Sequence, residues 1–439
     1  MSVCFLLGGV GSASAQYTSL PTMSLAGTDP NNSNPYGLAM HPTLPLGYVA
    51  LAGITDFTLP PATSNGSTVA EFDLSTLQIT RTFSVGLFPT EIAIAPDGSE
   101  LYVVCSTDST VAFIDLATTT VTQLPITDST GALVSFVSGI QLSADGTQLY
   151  VVSNGGDFDG SNENIVIIDR ALGTIVGRQL LAGSMSRFAV LSNGRVVAPV
   201  GFPGNDFTAQ PELRIYDPAT TPWTQLASLP MTVDTTTFPS PIDVAVAPDE
   251  LRAYVTIFEG SSEVFVVDLV TNTLLPSIVL PTLDFVQHGL EMSADGMQLY
   301  VTDFLQSQLR VVDLATGTVA ATLATGAQPN EVVEHGGRLW ITDQASQTVT
   351  LYALAGGYVR GDIDDNGGIS LTDAIGLLMH LFVAPSLTCL DRGDTNDDGQ
   401  VDLVDPVLIL DYLFNAGPAP AYPFPQVGTD LTADTLSCP

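Results

Sequence analysis

The chain has no lysine. All eleven of its basic side chains are arginines, against 46 aspartates and glutamates, which leaves a formal charge of −35 on 439 residues. Without lysine there is no side-chain Schiff-base chemistry and no P-loop lysine to hold a phosphate. So few cations on so acidic a chain, with no basic cluster, exclude nucleic acid as a partner. Long apolar runs are missing as well. Mean hydropathy is +0.32, yet no uninterrupted stretch reaches the ~18 residues that span a bilayer. The apolar content therefore belongs to buried strands, and no membrane span is expected. Histidine is scarce, with four in all. Three of them, His41, His335 and His380, are scattered without metal-ligand spacing and read as solvated or structural.

Cysteine is scarce too, at four. The first, Cys4, lies in a short apolar stretch that leads to Ala13-Ser14-Ala15 before Gln16, the small-x-small pattern of a secretion signal. Residues 1–15 are therefore expected to be a signal peptide, although its usual basic start is missing. The mature chain is expected outside the cell, secreted or on the cell surface. Cys105 sits in the strand-like run Leu101-Tyr102-Val103-Val104-Cys105 and reads as a buried apolar thiol. Cys389 and Cys438 bracket the C-terminal segment, and an oxidising compartment would let them bridge.

What the chain does have is an internal repeat. Ala95-Pro96-Asp97-Gly98 precedes Leu101-Tyr102-Val103-Val104 and then Phe113-Ile114-Asp115-Leu116. Ser143-Ala144-Asp145-Gly146 and Ser293-Ala294-Asp295-Gly296 open two further copies, and weaker copies fill the gaps between them. The aspartates that close the units, at 73, 115, 169, 217, 268 and 313, stand 42 to 54 residues apart. Counting the last copy around Leu339-Trp340-Ile341-Thr342, there are seven units. Each holds about four short β-branched runs separated by Asp-Gly, Asn-Gly or Thr-Gly turns, which accept positive φ. Four strands per ~45-residue unit, seven times over, predicts an all-β, seven-bladed β-propeller across residues 17–356. A β-sandwich does not repeat a motif seven times, and β-helix rungs are much shorter. The last unit has only three strand-like runs, so the segment Ser19 to Ala26 is expected to supply the fourth and close the ring. Closure hides two sheet edges.

The repeats resemble the YVTN-type propellers of the YncE-like and lactonase-like families, whose series is Ser-Pro-Asp-Gly, Leu-Tyr-Val and Val-Ile-Asp. The resemblance implies the fold and says little about activity, because propellers host many functions.

Residues 360–439 are expected to form a small helical domain built on a tandem duplication with a 32-residue period. Asp362, Asp364, Asn366, Gly368 and Asp373 of the first loop align with Asp394, Asn396, Asp398, Gln400 and Asp405 of the second. Oxygen side chains at loop positions 1, 3, 5 and 12, with a backbone carbonyl at position 7, suit a hard cation with six or seven oxygen ligands, and two calcium ions are expected. Each loop runs into a helix whose apolar face is expected to be Ile375, Leu378, Met379 and Phe382, then Leu408, Ile409, Tyr412 and Leu413. The segment resembles a type I dockerin. That resemblance implies a cohesin-type protein partner and assigns recognition to loop positions 10 and 11, here Leu371-Thr372 and Leu403-Val404. These pairs depart from the Ser-Thr type of many members. Arg360-Gly361-Asp362 and Arg392-Gly393-Asp394 spell an integrin-type tripeptide. Each aspartate is already position 1 of a loop, so coincidence is the better reading.

Ligand sites of propellers usually sit at the channel mouth, near the start of each blade's innermost strand. Aligning the units places Gly37, Glu91, Gly139, Arg187, Asp243, Gly289 and Glu331 at equivalent positions, with His288 one residue ahead of its own. Three carboxylates, an arginine and a histidine would suit a metal, a polar ligand or acid–base chemistry. The plainer alternative is a hydrated acidic channel. Together these features predict a secreted calcium-binding protein: a recognition or scaffold propeller anchored through a dockerin-like module to a cohesin-type partner, with a polysaccharide or cell-surface protein as a further possible target. The competing expectation is a propeller enzyme, a lactonase-like hydrolase or a polysaccharide lyase or hydrolase, delivered by the same module.

Overall fold

The computed structural model describes residues 17–31, 33–53, 65–74, 76–134, 136–154, 164–181, 183, 185–203, 208–233, 240–257, 261–280, 287–354, 357–364, 366, 368–415, 417–421, 423–424, 436 and 438; for Asn154, Asn164, Gln287 and His288 it describes the backbone alone. The expected signal segment lies outside the described residues.

Seven antiparallel sheets carry the fold. The first is a four-stranded meander, β3 (Pro35–Met40), β4 (Leu46–Gly53), β5 (Asn65–Asp73) and β6 (Ile79–Ser84). Five more meanders follow, opening with β7 (Pro89–Ile94), β11 (Phe136–Leu142), β15 (Ala189–Val190), β19 (Pro241–Val246) and β23 (Gln287–Met292). The seventh has β27 (Pro329–His335), β28 (Arg338–Asp343) and β29 (Thr348–Leu354), and it is completed from the other end of the described chain. There β1 (Tyr17–Ser19) pairs with Tyr352 to Leu354, and β2 (Met23–Ser24) pairs with Thr348 and Val349. The seven-bladed β-propeller predicted from the repeat is present, closed by an N-terminal strand delivered in two short pieces.

Each central strand packs between two neighbouring sheets, so both of its faces are apolar. Tyr48, Val69, Phe83, Leu101, Val103 and Ile114 form one such layer between the first and second sheets. Tyr102, Val104, Leu149, Val151 and Ile168 form the next. The repeated aspartates have a local job. Asp115 Oδ1 accepts the backbone N–H groups of Ala117 and Thr118, and Asp268 does the same for Val270 and Thr271. Asp97 and Asp145 likewise accept from Ser99 and Thr147 in the Asp-Gly turns. These are Asx turns, which explains why the motif recurs without any shared chemistry.

The chain divides into two compact units, one of Pro21–Val333 with Trp340–Thr350, the other of the described residues of Met1–Leu20, Glu334–Leu339 and Leu351–Pro439. The second contains α1 (Leu371–Phe382), α2 (Leu390–Gly393) and α3 (Val404–Asn415). The core of this helical part is Ala374, Leu377 and Ile409, with Ile363, Ile369, Leu387, Val401, Leu410 and Leu413 around it. That corrects the expected helix faces, because Ile375, Met379 and Phe382 are exposed. The cause lies at the helix start. Ser370 and Asp373 form a capping box, and Asp373 is fully buried beneath the loop. At 100° per residue, turning position 373 inward carries 374 and 377 inward and leaves 375, 379 and 382 outside. Asp405 and Ile409 repeat the arrangement in α3. Cys389 and Cys438 are joined, with Cα atoms 4.0 Å apart. Cys105 is a buried free thiol whose pKa burial pushes up to about 12. Among the described residues no helix is long and apolar enough to cross a membrane.

Candidate functional site

The innermost strands bring four of the predicted channel residues together. Arg187, just before β15, is the hub. Its Nη1 donates to Asp243 Oδ2 at 2.8 Å, its Nη2 contacts Glu331 Oε2, and its Nε lies 3.9 Å from Glu91 Oε1. The side chains are 18%, 6%, 17% and 13% exposed for Arg187, Asp243, Glu331 and Glu91, so water screens these charges weakly. The carboxylates are also held by backbone of neighbouring blades. Ile140 N–H donates to Glu91 Oε2 at 3.2 Å, and Leu290 N–H donates to Asp243 Oδ2 at 3.0 Å.

The glycines at the equivalent positions have a steric cause. A Cβ at Gly37, Gly139 or Gly289 would run into the backbone carbonyl of Thr90, Ser186 or Asn330 on the next inner strand. Each glycine therefore lets the following blade's strand approach closely and present Glu91, Arg187 or Glu331. Threonines on the second strands pin the same register. Thr342 Oγ1 accepts Glu331 N–H at 3.0 Å and donates to the Tyr36 carbonyl at 2.9 Å. Of the predicted group, the side chain of His288 lies outside the described residues.

Burial dominates the electrostatics. It pushes the Glu91 carboxyl up to about 8; Arg187 opposes the shift, while Glu331 and Asp243 add to it. Burial also raises Asp243 and Glu331 above the ordinary carboxylate range, with Arg187 partly offsetting it. Arg187 itself stays charged: burial works against the guanidinium, but Glu331, Asp243 and Glu91 together outweigh it. Three acids against one arginine leave the fully ionised cluster with an excess negative charge.

Beside the cluster lies a cavity of about 170 Å³, lined by Glu91 and Arg187 together with Tyr36, Phe88, Phe136, Val137, Ile242, Thr90, Ser106, Ser138 and Ser186. Sequence reasoning missed the aromatic wall. Phe88 was hidden because it sits in a turn, in the left-handed region at φ 57°, three residues before Glu91. Tyr36 and Phe88 rings stand 6.1 Å apart. The remaining histidines are structural where their partners are described. His41 bridges the Gly98 carbonyl and the N–H groups of Thr43 and Leu44, and His380 accepts from Ser386 and Leu387.

In the helical part, ligand atoms of Asp362, Asp364 and Asp373 lie within 4.8 Å of one another, a group able to hold a metal ion. Asp362 and Asp373 are buried and Asp364 is exposed. The loop backbone is already folded around the first of them: Asn366 N–H donates to Asp362 Oδ1 at 3.1 Å. In the second loop Asp398 and Gly399 N–H groups donate to Asp394. There Asn396 Nδ2 donates to Asp398 Oδ2 at 2.9 Å, so a cation would need that amide to turn its oxygen inward. Burial raises the carboxyls of Asp394 and Asp405. Leu371, Thr372, Leu403 and Val404 are all exposed. Arg360 is fully buried against the Asp391 and Asp394 carbonyls and Asp397, so its Arg-Gly-Asp tripeptide is not displayed.

The fold and this cluster define the class: a seven-bladed β-propeller with an ion-paired channel, carrying a helical segment with two acidic loops. No family model and no curated protein matches the chain. Among solved structures, the hydrazine synthase of Kuenenia stuttgartiensis is similar, with a TM-score of 0.61 over 74% of this chain and 97% of that one, at 18% identity. At that identity the likeness is one of fold alone.

Proposed function

We propose that the protein is a secreted calcium-binding recognition protein: a YVTN-type propeller that binds a ligand at its channel, anchored by a dockerin-like module to a cohesin-type partner. One observation carries the anchoring role. Both loop–helix units turn their position-12 aspartate inward and set apolar residues outward at matching positions: Leu371, Ile375 and Phe382 in one, Leu403, Val407 and Phe414 in the other. Large apolar side chains exposed in duplicate fit a protein-docking face better than a free surface. The donor set fits calcium: each loop offers carboxylate and amide oxygens, with the Gly368 or Gln400 carbonyl as a further ligand. Asp362, Asp364, Asn366 and Asp373, then Asp394, Asn396, Asp398 and Asp405, would hold the two ions. The joined cysteines agree with an oxidising, extracellular setting.

The channel favours recognition over metal-assisted hydrolysis. Arg187 stands where the three carboxylates meet, so a divalent ion would have to displace a guanidinium held by two of them. The test is calcium titration of the full chain by calorimetry, followed by binding to a panel of immobilised cohesin domains. We expect two calcium ions per chain and a calcium-dependent complex that Leu371→Asp with Leu403→Asp abolishes. Calcium binding without any cohesin complex would overturn the anchoring role and leave the calcium sites standing.

A further inference from the structure

We propose that the cavity beside Glu91 is a site for a small organic ammonium ion, about the size of choline. The proposal deepens the reading of the propeller as a recognition domain and rests on it. Three features of the cavity select the ligand. The first is size: an apolar cavity of about 150 Å³ takes up benzene, and this one, at about 170 Å³, is slightly larger. The second is the wall. Tyr36, Phe88 and Phe136 line one small volume, with Val137 and Ile242 beside them. Aromatic faces attract a cation through the ring quadrupole, and most strongly where water is excluded. Phe136 is 42% exposed, which places it toward solvent.

The third feature is charge. Among the described residues, two charged side chains line the cavity, Glu91 and Arg187. Arg187 is committed to Asp243 and Glu331, both closer to it than Glu91 is. An incoming anion would meet Glu91 with Asp243 and Glu331 behind it, and would have to compete for an arginine already paired. A cation meets the opposite situation. Glu91 has one oxygen on the Ile140 N–H and its other 3.9 Å from Arg187, so its carboxylate can take on a further positive partner. The charged or titratable groups acting on Glu91 from the surrounding blades are Arg187, Glu331, Asp243 and, across the cavity, Tyr36. With Glu91 titrating at about 8, a permanently charged ligand must bind with release of a proton near neutral pH. Affinity should then rise about tenfold between pH 7 and pH 9, as the ionised fraction grows from roughly a tenth to roughly nine-tenths.

The experiment is isothermal titration calorimetry on the full chain with three probes: choline, its neutral isostere 3,3-dimethylbutan-1-ol, and acetate. Choline is expected to bind, the alcohol at least tenfold more weakly, and acetate not at all. Choline affinity should increase with pH as stated. Glu91→Gln, which keeps the side chain's size and an acceptor for Ile140, should weaken choline at least tenfold and flatten its pH dependence. Phe136→Ala, at an exposed position, should weaken it severalfold, with folding verified by circular dichroism. Equal affinity for choline and the alcohol, or preferred binding of acetate, would overturn the cation assignment while leaving a ligand-binding channel. No binding of any probe at 10 mM would overturn the site itself.

Discussion

At the scale of single residues, the channel shows how one arginine organises three acids. Among the described residues Arg187 is the sole counter-charge ion-paired with Asp243 and Glu331, and removing one partner of a buried pair commonly costs about 3–5 kcal/mol. Glu91 is the member with least to gain from the pairing. Its folded-state value of about 8 lies above the roughly 4.3 of an unfolded glutamate. A carboxyl raised by folding leaves stability intact below the unfolded value, and that stability is lost as pH climbs through the folded value. We therefore expect Glu91→Gln to melt at nearly the wild-type temperature at pH 5 and clearly higher at pH 9, a gain on the order of a few kcal/mol at 1.36 kcal/mol per pH unit. Thermal melts at the two pH values decide it; an equal offset at both would mean that folding does not raise the Glu91 carboxyl and that it is ionised throughout this window.

The hairpins decide the economy of individual elements. The turn after the third strand places one residue at positive φ in each blade that uses it. Blades three and six use Gly173 and Gly317, and blade five uses Asn272. Blade two has Thr119 there, at φ 61° and exposed. A β-branched residue in the left-handed region costs roughly 1–2 kcal/mol, which glycine avoids at some entropic expense. Thr119→Gly should thus stabilise the propeller by about 0.5–1 kcal/mol, read from the denaturant midpoint at unchanged slope. A loss of stability would show that the Thr119 side chain makes a contact worth more than its strain. Helix facing obeys the same local logic. A buried cap aspartate, at 373 or 405, rotates each short helix so that Leu377 and Ile409 face the core.

Over the whole molecule, stability is divided unevenly. The propeller is held by apolar layers between sheets and by the strand closure of its seventh blade. The helical part has a core of three fully buried residues with partly buried neighbours, and residues 360–439 carry 13 acidic side chains against 2 arginines. Nine of those acids stand in the two loops, where mutual repulsion opposes folding unless cations intervene. Chelation of the full chain should therefore remove the helical circular dichroism signal while the β signal persists. Asp362→Ala with Asp394→Ala should do the same at ordinary calcium. Helical signal that survives excess chelator would rule out a structural role for the ions.

Much of this architecture was legible in the sequence because it is periodic. Three full copies of the Asp-Gly and Leu-Tyr-Val series, four weaker ones and six closing aspartates are local signals, and each works through backbone turns and strand alternation within its own blade. The count of strands also made the missing fourth strand of the last blade visible. Aligning the repeats even placed Glu91, Arg187, Asp243 and Glu331 at one level, since equivalent positions on equivalent strands face the same axis. What lies between blades was decided only by the tertiary structure. That Arg187 joins three acids from three other blades, that Gly139 is small because Ser186 passes against it, and that Phe136 and Phe88 share a wall are facts of distance across separate sheets. The helix faces escaped for a related reason: apolar spacing alone allows two rotations of α1, and the buried Asp373 selects one. Periodicity fixes what each unit is, and packing between units decides which side chains meet.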